Sequence, residues 1–412
     1  MSSFAITGVG ELTTEDVEGR VLRDAAVVVE GERVVWIGPS ARAPAADRSF
    51  DAAGRALLPG WVDSHSHIVF DGDRADEFEA RMAGRPYQAG GIAATVAATR
   101  AASDKRLEAL AAKRAREAAL QGTTWLETKT GYGLSVEHEA RCARVAARVA
   151  DDVTFLGAHL PPPGVDVDEY VRLVTGPMLA AVAPFAGWAD VFCERGAFTP
   201  EQSREVLTAA RAAGLGLRVH GNQLGPGQGI ALAVELGAAS VDHCNHVGPA
   251  DLDALAGSWT GGGRGTVATL LPACDLSTRA PLAPARALID AGVVVAIASN
   301  CNPGTSNTSS MPFCVATAVL QMGLSVAEAV RAATWGGAAA LGRESGDGAI
   351  GSITLGGRAD LQLLDAPSAA HLAYRPGMAL TRAVWKAGRR LDGGGTGSPP
   401  RHRRAESVRP EV

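Results

Sequence analysis

Five of the nine histidines lie where a short apolar segment gives way to a polar loop. His65 and His67 end the first of these segments, GWVDSHS, and residues two apart on an extended strand project to the same side. Two imidazoles with this spacing can bind one metal ion. His220, in the fifth segment, would complete a three-nitrogen set suited to Zn, Fe, Ni or Co. A lone buried histidine is usually a core residue, but the further placement of His159 and His243 at segment ends indicates a metal site.

Eight short apolar segments, separated by polar loops and amphipathic stretches, must position these side chains. Continuously apolar strands that alternate with helices are typical of a parallel sheet covered on both faces. Eight such units favour a closed (β/α)8 TIM-type barrel, whose active site lies at the carboxyl ends of the strands. A doubly wound sheet is disfavoured, because the GVG at residues 8–10 lacks the third glycine and the following helix. The segments are GWVDSHS, TTWLETK, VTFLGAH, ADVFCER, LGLRVHG, ASVDHCN, TVATLLP and VVVAIAS.

The two ends of the chain carry strand and turn patterns without helices. Residues 1–57 and 346–390 are therefore predicted to form a small β-sandwich domain assembled from both termini, beside a barrel of residues 58–345. The segment 391–412 is rich in Gly, Pro and Arg and is predicted to be a disordered tail. Capping-box patterns at Thr199 and Ser325 predict the first residues of two barrel helices.

Composition and charge exclude several classes of protein. A net charge of -5 gives no reason to expect nucleic acid as a partner, and no run of about 18 apolar residues could span a membrane. The N-terminus lacks the basic and apolar regions of a secretory signal. The six cysteines are scattered singly, which favours a reducing compartment and argues against a thiolate zinc site. These features predict a cytoplasmic globular enzyme.

Several segments resemble a known family. LLPGWVDSHSHIVFDGDR resembles the first-strand signature of the amidohydrolase superfamily. ETKTGYGL, FLGAH, VFCERGAFTPEQSR, RVHGNQ and CNPGTS together resemble the imidazolonepropionase family, in the same order over residues 55–345. The resemblance implies metal-dependent hydrolysis of 4-imidazolone-5-propanoate to N-formimidoyl-L-glutamate in histidine breakdown. It also implies one divalent metal, Zn or Fe, and a homodimer.

The same resemblance implies roles for individual residues. The propanoate carboxylate would be held by one cation and two hydroxyl donors, which is a suitable set for an anion. Alternative roles are a surface salt bridge for Arg74, within an acidic loop, and a turn aromatic for Tyr132. The positions that match metal ligands are His65, His67, His220 and Asn300; those that match catalytic groups are Gln223, His243 and Asn300; and those that match substrate contacts are Arg74, Tyr87, Tyr132, His159, Asn302, Gly304 and Thr305.

Asn300 departs from the family pattern, which expects an aspartate before CNPGTS. An amide keeps the size of the side chain but cannot act as a general base, a contribution commonly worth about 10²–10⁴-fold. Three explanations remain open: an inactivating change, a homologue with altered activity, or catalysis that does not need the carboxylate. The functional alternatives are accordingly a related amidohydrolase or deaminase acting on another ring, and a non-catalytic ligand-binding homologue.

Overall fold

The computed structural model describes residues 2–84 and 91–391. Tyr87 lies outside the described residues, as does all of the predicted tail 391–412 except Leu391. The described strands, in chain order, are β1 Ser3–Thr13, β2 Val21–Glu30, β3 Arg33–Pro39, β4 Arg48–Asp51, β5 Ala56–Pro59, β6 Trp61–Asp63, β7 Thr123–Lys129, β8 Asp152–Ala158, β9 Trp188–Cys193, β10 Gly216–Gly221, β11 Ser240–His243, β12 Val267–Leu270, β13 Val295–Ile297, β14 Leu361–Leu364, β15 Thr381–Lys386 and β16 Arg389–Arg390.

Strands β6 to β13 form the barrel. They are hydrogen-bonded in sequential order, and every pair is parallel. Each of the eight predicted segments overlaps one of these strands, so the predicted (β/α)8 architecture is confirmed. The register of β10 with β11 aligns His220 with Asp242 and Gly221 with His243. Polar side chains from neighbouring strands are thereby brought level at one end of the barrel.

The barrel closes between β6 and β13 through residues just beyond the two strands. The backbone N–H of Asn300 donates to His65 O at 2.9 Å, and that of His67 donates to Cys301 O at 2.9 Å. Beside these bonds, Ser299 donates to the buried carboxylate of Asp63 from its backbone N, at 3.0 Å, and from its Oγ, at 2.5 Å. The seam therefore fixes the His-x-His segment directly to the segment that carries Asn300.

Helices cover the outside of the barrel. The capping boxes predicted at Thr199 and Ser325 are both present, because each hydroxyl accepts a hydrogen bond from the third helical residue and that residue's side chain accepts from the cap. The described helices are α1 Ala75–Met82, α2 Ile92–Ala101, α3 Asp104–Leu120, α4 Val136–Val149, α5 Val167–Leu173, α6 Leu179–Val182, α7 Pro200–Ala212, α8 Gly229–Glu235, α9 Pro249–Gly257, α10 Pro272–Thr278, α11 Ala285–Asp290, α12 Met311–Gln321, α13 Val326–Arg331, α14 Gly337–Ala340 and α15 His371–Tyr374.

A second sheet combines strands from both ends of the chain. Its order is β16-β15-β14-β5-β1-β2-β3, with β4 paired to β1. A register shift between Ile6 and Val9 lets the first half of β1 pair with β4 and the second half with β5. Trp385 of β15 packs on Phe4 and Phe50, which belong to strands that are not its neighbours in the sheet. The two halves of the sheet therefore enclose a common core, separate from that of the barrel.

The two units meet where β5 passes directly into β6. Gln362 of β14 donates from Nε2 to Pro59 O at 2.9 Å, next to the start of the barrel. The boundaries at residues 57 and 345 stay predictions.

Within residues 2–84 and 91–391, no helix has both the length and the apolar composition needed to cross a membrane.

Replacement of Ser299 by alanine is expected to destabilise the protein by about 1–3 kcal/mol, because the buried Asp63 carboxylate loses a donor at the barrel seam. The free energy of unfolding from urea titration measures this change. Ser345→Ala, at an exposed position, is the matched control and is expected to change stability by less than about 0.5 kcal/mol. Equal stability of the two variants would contradict the role given to the seam.

Candidate active site

Three imidazoles meet at the carboxyl end of the barrel. His65 and His67 follow β6 and His220 lies in β10, and all are at most 3% exposed. His65 Nε2 and His67 Nε2 are 3.2 Å apart, and one ring nitrogen of each of the three histidines lies within 4.8 Å of the others. His67 Nδ1 is buried without a hydrogen-bond partner among the described residues. Ring nitrogens this close in a dry site fit a shared cation, so the donor set suits a divalent metal.

Two carboxylates orient these rings. His65 Nδ1 is 2.6 Å from Asp242 Oδ2, and His220 Nδ1 is 3.0 Å from Asp190 Oδ1. A hydrogen bond from Nδ1–H to a carboxylate leaves the Nε2 lone pair directed at the centre of the cluster and makes it more basic. Burial opposes ionisation of both acids. Nearby positive charge outweighs it, so that the pKa of Asp190 and that of Asp242 lie below the usual value for aspartate.

The orienting carboxylates are themselves held by two buried cations. Lys129 Nζ is 3.0 Å from Asp190 Oδ2 and 3.1 Å from Glu127 Oε1, and Arg218 Nη2 is 3.2 Å from Asp242 Oδ2. All five side chains are fully buried. The ion pair between Glu127 and Lys129 is thus part of a larger charge network beneath the three histidines.

One cavity opens above the three histidines. It brings together residues that the sequence assigned to metal, catalysis and substrate, whereas His65 and Gly304 do not line it. No carboxylate lines this cavity among the residues that the structure describes. The predicted site residues that line it are His67, Arg74, Tyr132, His159, His220, Gln223, His243, Asn300, Asn302 and Thr305.

Arg74 enters the cavity at the start of α1. Its Nε and Nη2 donate to the Glu77 carboxylate at 2.8 Å and 2.7 Å, and its side chain is 7% exposed. The salt bridge expected as an alternative is therefore present, but it lies at the cavity wall. Gly304 makes room for the guanidinium, since a Cβ at Gly304 would lie 2.2 Å from Arg74 Nη1. Arg81 Nη2 donates to Gly304 O at 2.9 Å and ties α1 to the same loop.

Aromatic rings form another part of the cavity wall. His159 stacks on His67, with ring centroids 5.7 Å apart and an interplanar angle of 20°, and the Tyr132 ring lies 5.6 Å from His159. His159 Nδ1 is 3.0 Å from Gly131 O. Burial and the neighbouring His220 lower the pKa of His159 to about 4, so this imidazole is neutral at physiological pH. The wall therefore offers flat, uncharged surface to a ring.

The loop after β13 is organised by its own side chains. Asn302 Oδ1 accepts from the backbone N–H groups of Gly304 and Thr305 at 2.9 Å and 2.8 Å, and Asn302 Nδ2 donates to Asn300 O at 2.7 Å. The amide of Asn302 thus shapes the loop. The substrate contacts assigned to Asn302, Gly304 and Thr305 stay predictions.

Two catalytic candidates, and the residue that precedes the third, have backbone conformations that few non-glycine residues adopt. Asn300 has φ 50°, His243 has φ 84°, and Asn222, next to Gln223, has φ 55°. Left-handed backbone for non-glycine residues is costly and concentrates at functional sites. Here it turns each loop sharply at its strand end. His243 Nδ1 is buried without a partner among the described residues.

Sequence reasoning missed the residues that orient the histidines. Asp190, Arg218 and Asp242 are charged residues inside otherwise apolar strands. Arg218 is two residues before His220, so both face the barrel interior. A charged residue two positions from a candidate metal ligand, within an apolar strand, was the sequence signal that could have identified Arg218. Glu194, which accepts hydrogen bonds from the backbone N–H groups of Gln223 and Leu224, had no such signal.

A parallel barrel with three histidines converging at the carboxyl ends of its strands defines a metal-dependent hydrolase. A match to the amidohydrolase family covers residues 56–391, so the chain belongs to this family. The imidazolonepropionase of Arthrobacter sp. (strain FB24) is 68% identical over 94% of this chain and 99% of its own length. That of Saccharopolyspora erythraea is 67% identical over 95% of this chain and 100% of its own. Within the amidohydrolases, the chain thus groups with the imidazolonepropionases.

Solved structures show the same fold. Atrazine chlorohydrolase TrzN from Arthrobacter aurescens TC1, complexed with zinc, superposes with a TM-score of 0.69 at 18% identity, over 94% of this chain and 95% of that one. An adenosine deaminase from Xanthomonas campestris with bound zinc gives 0.68 at 21% identity, over 94% and 92%. The family and the three-histidine cluster together support a divalent metal and a small-molecule substrate for this chain.

Asp242→Asn is expected to weaken binding of Zn²⁺ by about 10–100-fold, because the amide no longer accepts a charge-assisted hydrogen bond from His65. Competition with a chelator of known affinity measures the change. Asp253→Asn, which removes an exposed carboxylate, is the matched control and should leave metal affinity unchanged. Unaltered affinity in Asp242→Asn would show that the carboxylate does not orient the ligand.

Proposed function

We propose that this chain hydrolyses 4-imidazolone-5-propanoate to N-formimidoyl-L-glutamate in histidine breakdown. One observation carries the proposal: His67 and His220 of the histidine cluster line the same cavity as the buried cation Arg74. A ring carrying a short carboxylate side chain would place the carboxylate near Arg74 and the ring near the histidines. The names of the relatives at 68% and 67% identity support this substrate.

His65, His67 and His220 would hold a zinc or iron ion, with the side-chain oxygen of Asn300 as a weaker fourth ligand. When bound, such an ion lowers the pKa of a coordinated water towards ~7 and polarises the carbonyl group of the ring. The carboxylates of Asp190 and Asp242 keep the histidines in the correct tautomer for this.

The substrate would be bound by Arg74 and by the aromatic side chains that line the cavity. Glu77 holds the Nε edge of Arg74, so the guanidinium is fixed in orientation before the substrate arrives. Tyr132 would donate its hydroxyl to the same carboxylate, and His159 would lie against the ring. Gln223, anchored through its backbone by Glu194, would contact the attacked carbon.

The reaction joins the oxygen of water to the carbonyl carbon of the ring. The adjacent C–N bond breaks, and the ring nitrogen takes up a proton. His243 is the base that we assign to proton movement. Burial lowers the pKa of His243 well below its usual value, so that the ring is neutral and can accept a proton. A depressed pKa also makes His243 a weak base. A carboxylate at position 300 would supply a second base, and Asn300 does not.

We also propose zinc or iron as the metal, a homodimer as the assembly and the cytoplasm as the location. The first follows from the nitrogen-rich donor set. The other two rest on the resemblance to the imidazolonepropionases and on the sequence composition.

Asn300→Asp is expected to raise kcat for imidazolone propanoate hydrolysis by about 10²–10⁴-fold, because a carboxylate at this position restores a general base beside His243. Steady-state rates of the zinc-loaded enzymes measure the change. Asn307→Asp, an exposed residue of the same loop, makes the same charge change outside the cavity and serves as the control. Equal kcat in the parent chain and Asn300→Asp would refute the role of the carboxylate. Absence of turnover in both would favour the non-catalytic binding homologue.

Arg74→Lys is expected to raise KM for the propanoate substrate about 10-fold or more with little change in kcat. A lysine ammonium cannot bind Glu77 with one edge and present a second pair of N–H donors to the substrate, as the planar guanidinium can. An imidazolone lacking the propanoate arm should show no change in KM. Arg106→Lys, at the exposed ion pair with Asp71, is the control. If both substrates lose affinity equally, Arg74 does not recognise the carboxylate, and a related hydrolase of another ring is favoured.

A further inference from the structure

A second group of metal-ligating side chains lies beside the catalytic cavity. His243 ends β11, and Cys274 and Asp275 lie in the first turns of α10. One donor atom of each residue lies within 4.8 Å of the others, and the residues are 3%, 0% and 1% exposed. Cys274 and Asp275 are adjacent in the sequence, but His243 is distant from them and is brought close only by the packing of α10 beside β11, so the cluster has no sequence motif.

Among the described residues, the imidazole and the carboxylate of this cluster form no ion pair with a cationic side chain. His243 Nδ1 has no hydrogen-bond partner, and Asp275 makes no ion pair, among residues 2–84 and 91–391. Within the described part of the chain, the Asp275 carboxylate accepts hydrogen bonds from neutral donors: the backbone N–H of Ala283, at 3.2 Å, and the side chain of Asn245. Its burial raises its pKa to about 7. A buried carboxylate and an unpartnered imidazole nitrogen are costly unless a cation or a hydrogen bond compensates them.

We propose that His243, Cys274 and Asp275 form a second site for a thiophilic divalent cation such as Zn²⁺ or Cd²⁺. One nitrogen, one sulfur and one oxygen donor are the set that zinc accepts in tetrahedral sites, with the fourth position left for water. On binding, a sulfur–metal bond forms and the Cys274 proton passes to solvent; a proton on Asp275 is released in the same way. No change of oxidation state is involved.

Occupancy of this second site would inhibit the enzyme. His243 lines the catalytic cavity, Cys274 Sγ lies 4.0 Å from Gln223 Nε2, and the side chains of Asn300 and Thr305 are close enough to influence the pKa of the Cys274 thiol. A cation at Cys274 therefore removes His243 from proton transfer and displaces the groups around Gln223. The inhibition rests on the proposed function, whereas the binding of a second cation does not.

The test begins with the enzyme loaded with one equivalent of Zn²⁺ and adds Cd²⁺. A second equivalent is expected to bind, with a thiolate-to-cadmium charge-transfer band in the ultraviolet and a loss of hydrolysis that a chelator reverses. Cys274→Ser is expected to lose the band and to bind the second equivalent at least about 10–100-fold more weakly. Cys142→Ser, a buried cysteine of α4 outside any such group, should keep both.

Asp275→Asn tests the same site if Cys274→Ser does not fold, and should weaken second-site binding while keeping the thiolate band. Saturation at one equivalent, or an undiminished band in Cys274→Ser, would overturn the proposal. A second equivalent that binds through Cys274 in an enzyme without turnover would support the site and count only against the proposed function.

Discussion

The active site depends on five charged side chains that are buried together inside the barrel. Taking ions out of water costs several kcal/mol each, and only close partners of opposite charge offset that cost. Lys129 provides such a partner to Asp190 and Glu127, and Arg218 to Asp242. Asp190 and Asp242 also lie at hydrogen-bond distance from the Nδ1 atoms of His220 and His65. The ion pairs that offset the cost of burial therefore also orient the proposed metal ligands.

Closure of the barrel adds a second constraint on the same residues. Backbone hydrogen bonds of His65, His67 and Asn300 join the segments that follow β6 and β13. The loops that carry the proposed metal ligands are therefore the loops that complete the barrel. A shift of either loop would cost seam hydrogen bonds as well as ligand geometry. This coupling explains how a site built on strand ends and loops can be held rigidly enough to bind a metal before any ion is present.

The parts of this structure that the sequence predicted are those with local signals. Continuous apolar runs located all eight barrel strands, and capping boxes located two helix starts, because both depend on neighbours along the chain. The His-x-His pair was equally local. Asp190 and Asp242 were not singled out, because their significance arises from the register between parallel strands, which one chain segment does not encode. The cluster around Cys274 was missed because it depends on how α10 packs beside β11, and the scattered cysteines argued against a thiolate site.

The proposed role of position 300 depends on the charge of its side chain, whereas the framework around it does not. Its backbone is left-handed, with φ 50°, a conformation that asparagine and aspartate both tolerate better than other non-glycine residues. Its backbone N–H completes the barrel seam whichever of the two side chains it carries. The difference between Asn and Asp at this position therefore concerns charge and leaves the backbone framework unchanged. The described lining of the cavity holds no carboxylate, so under the proposed function the difference would act on proton transfer and metal affinity rather than on substrate recognition.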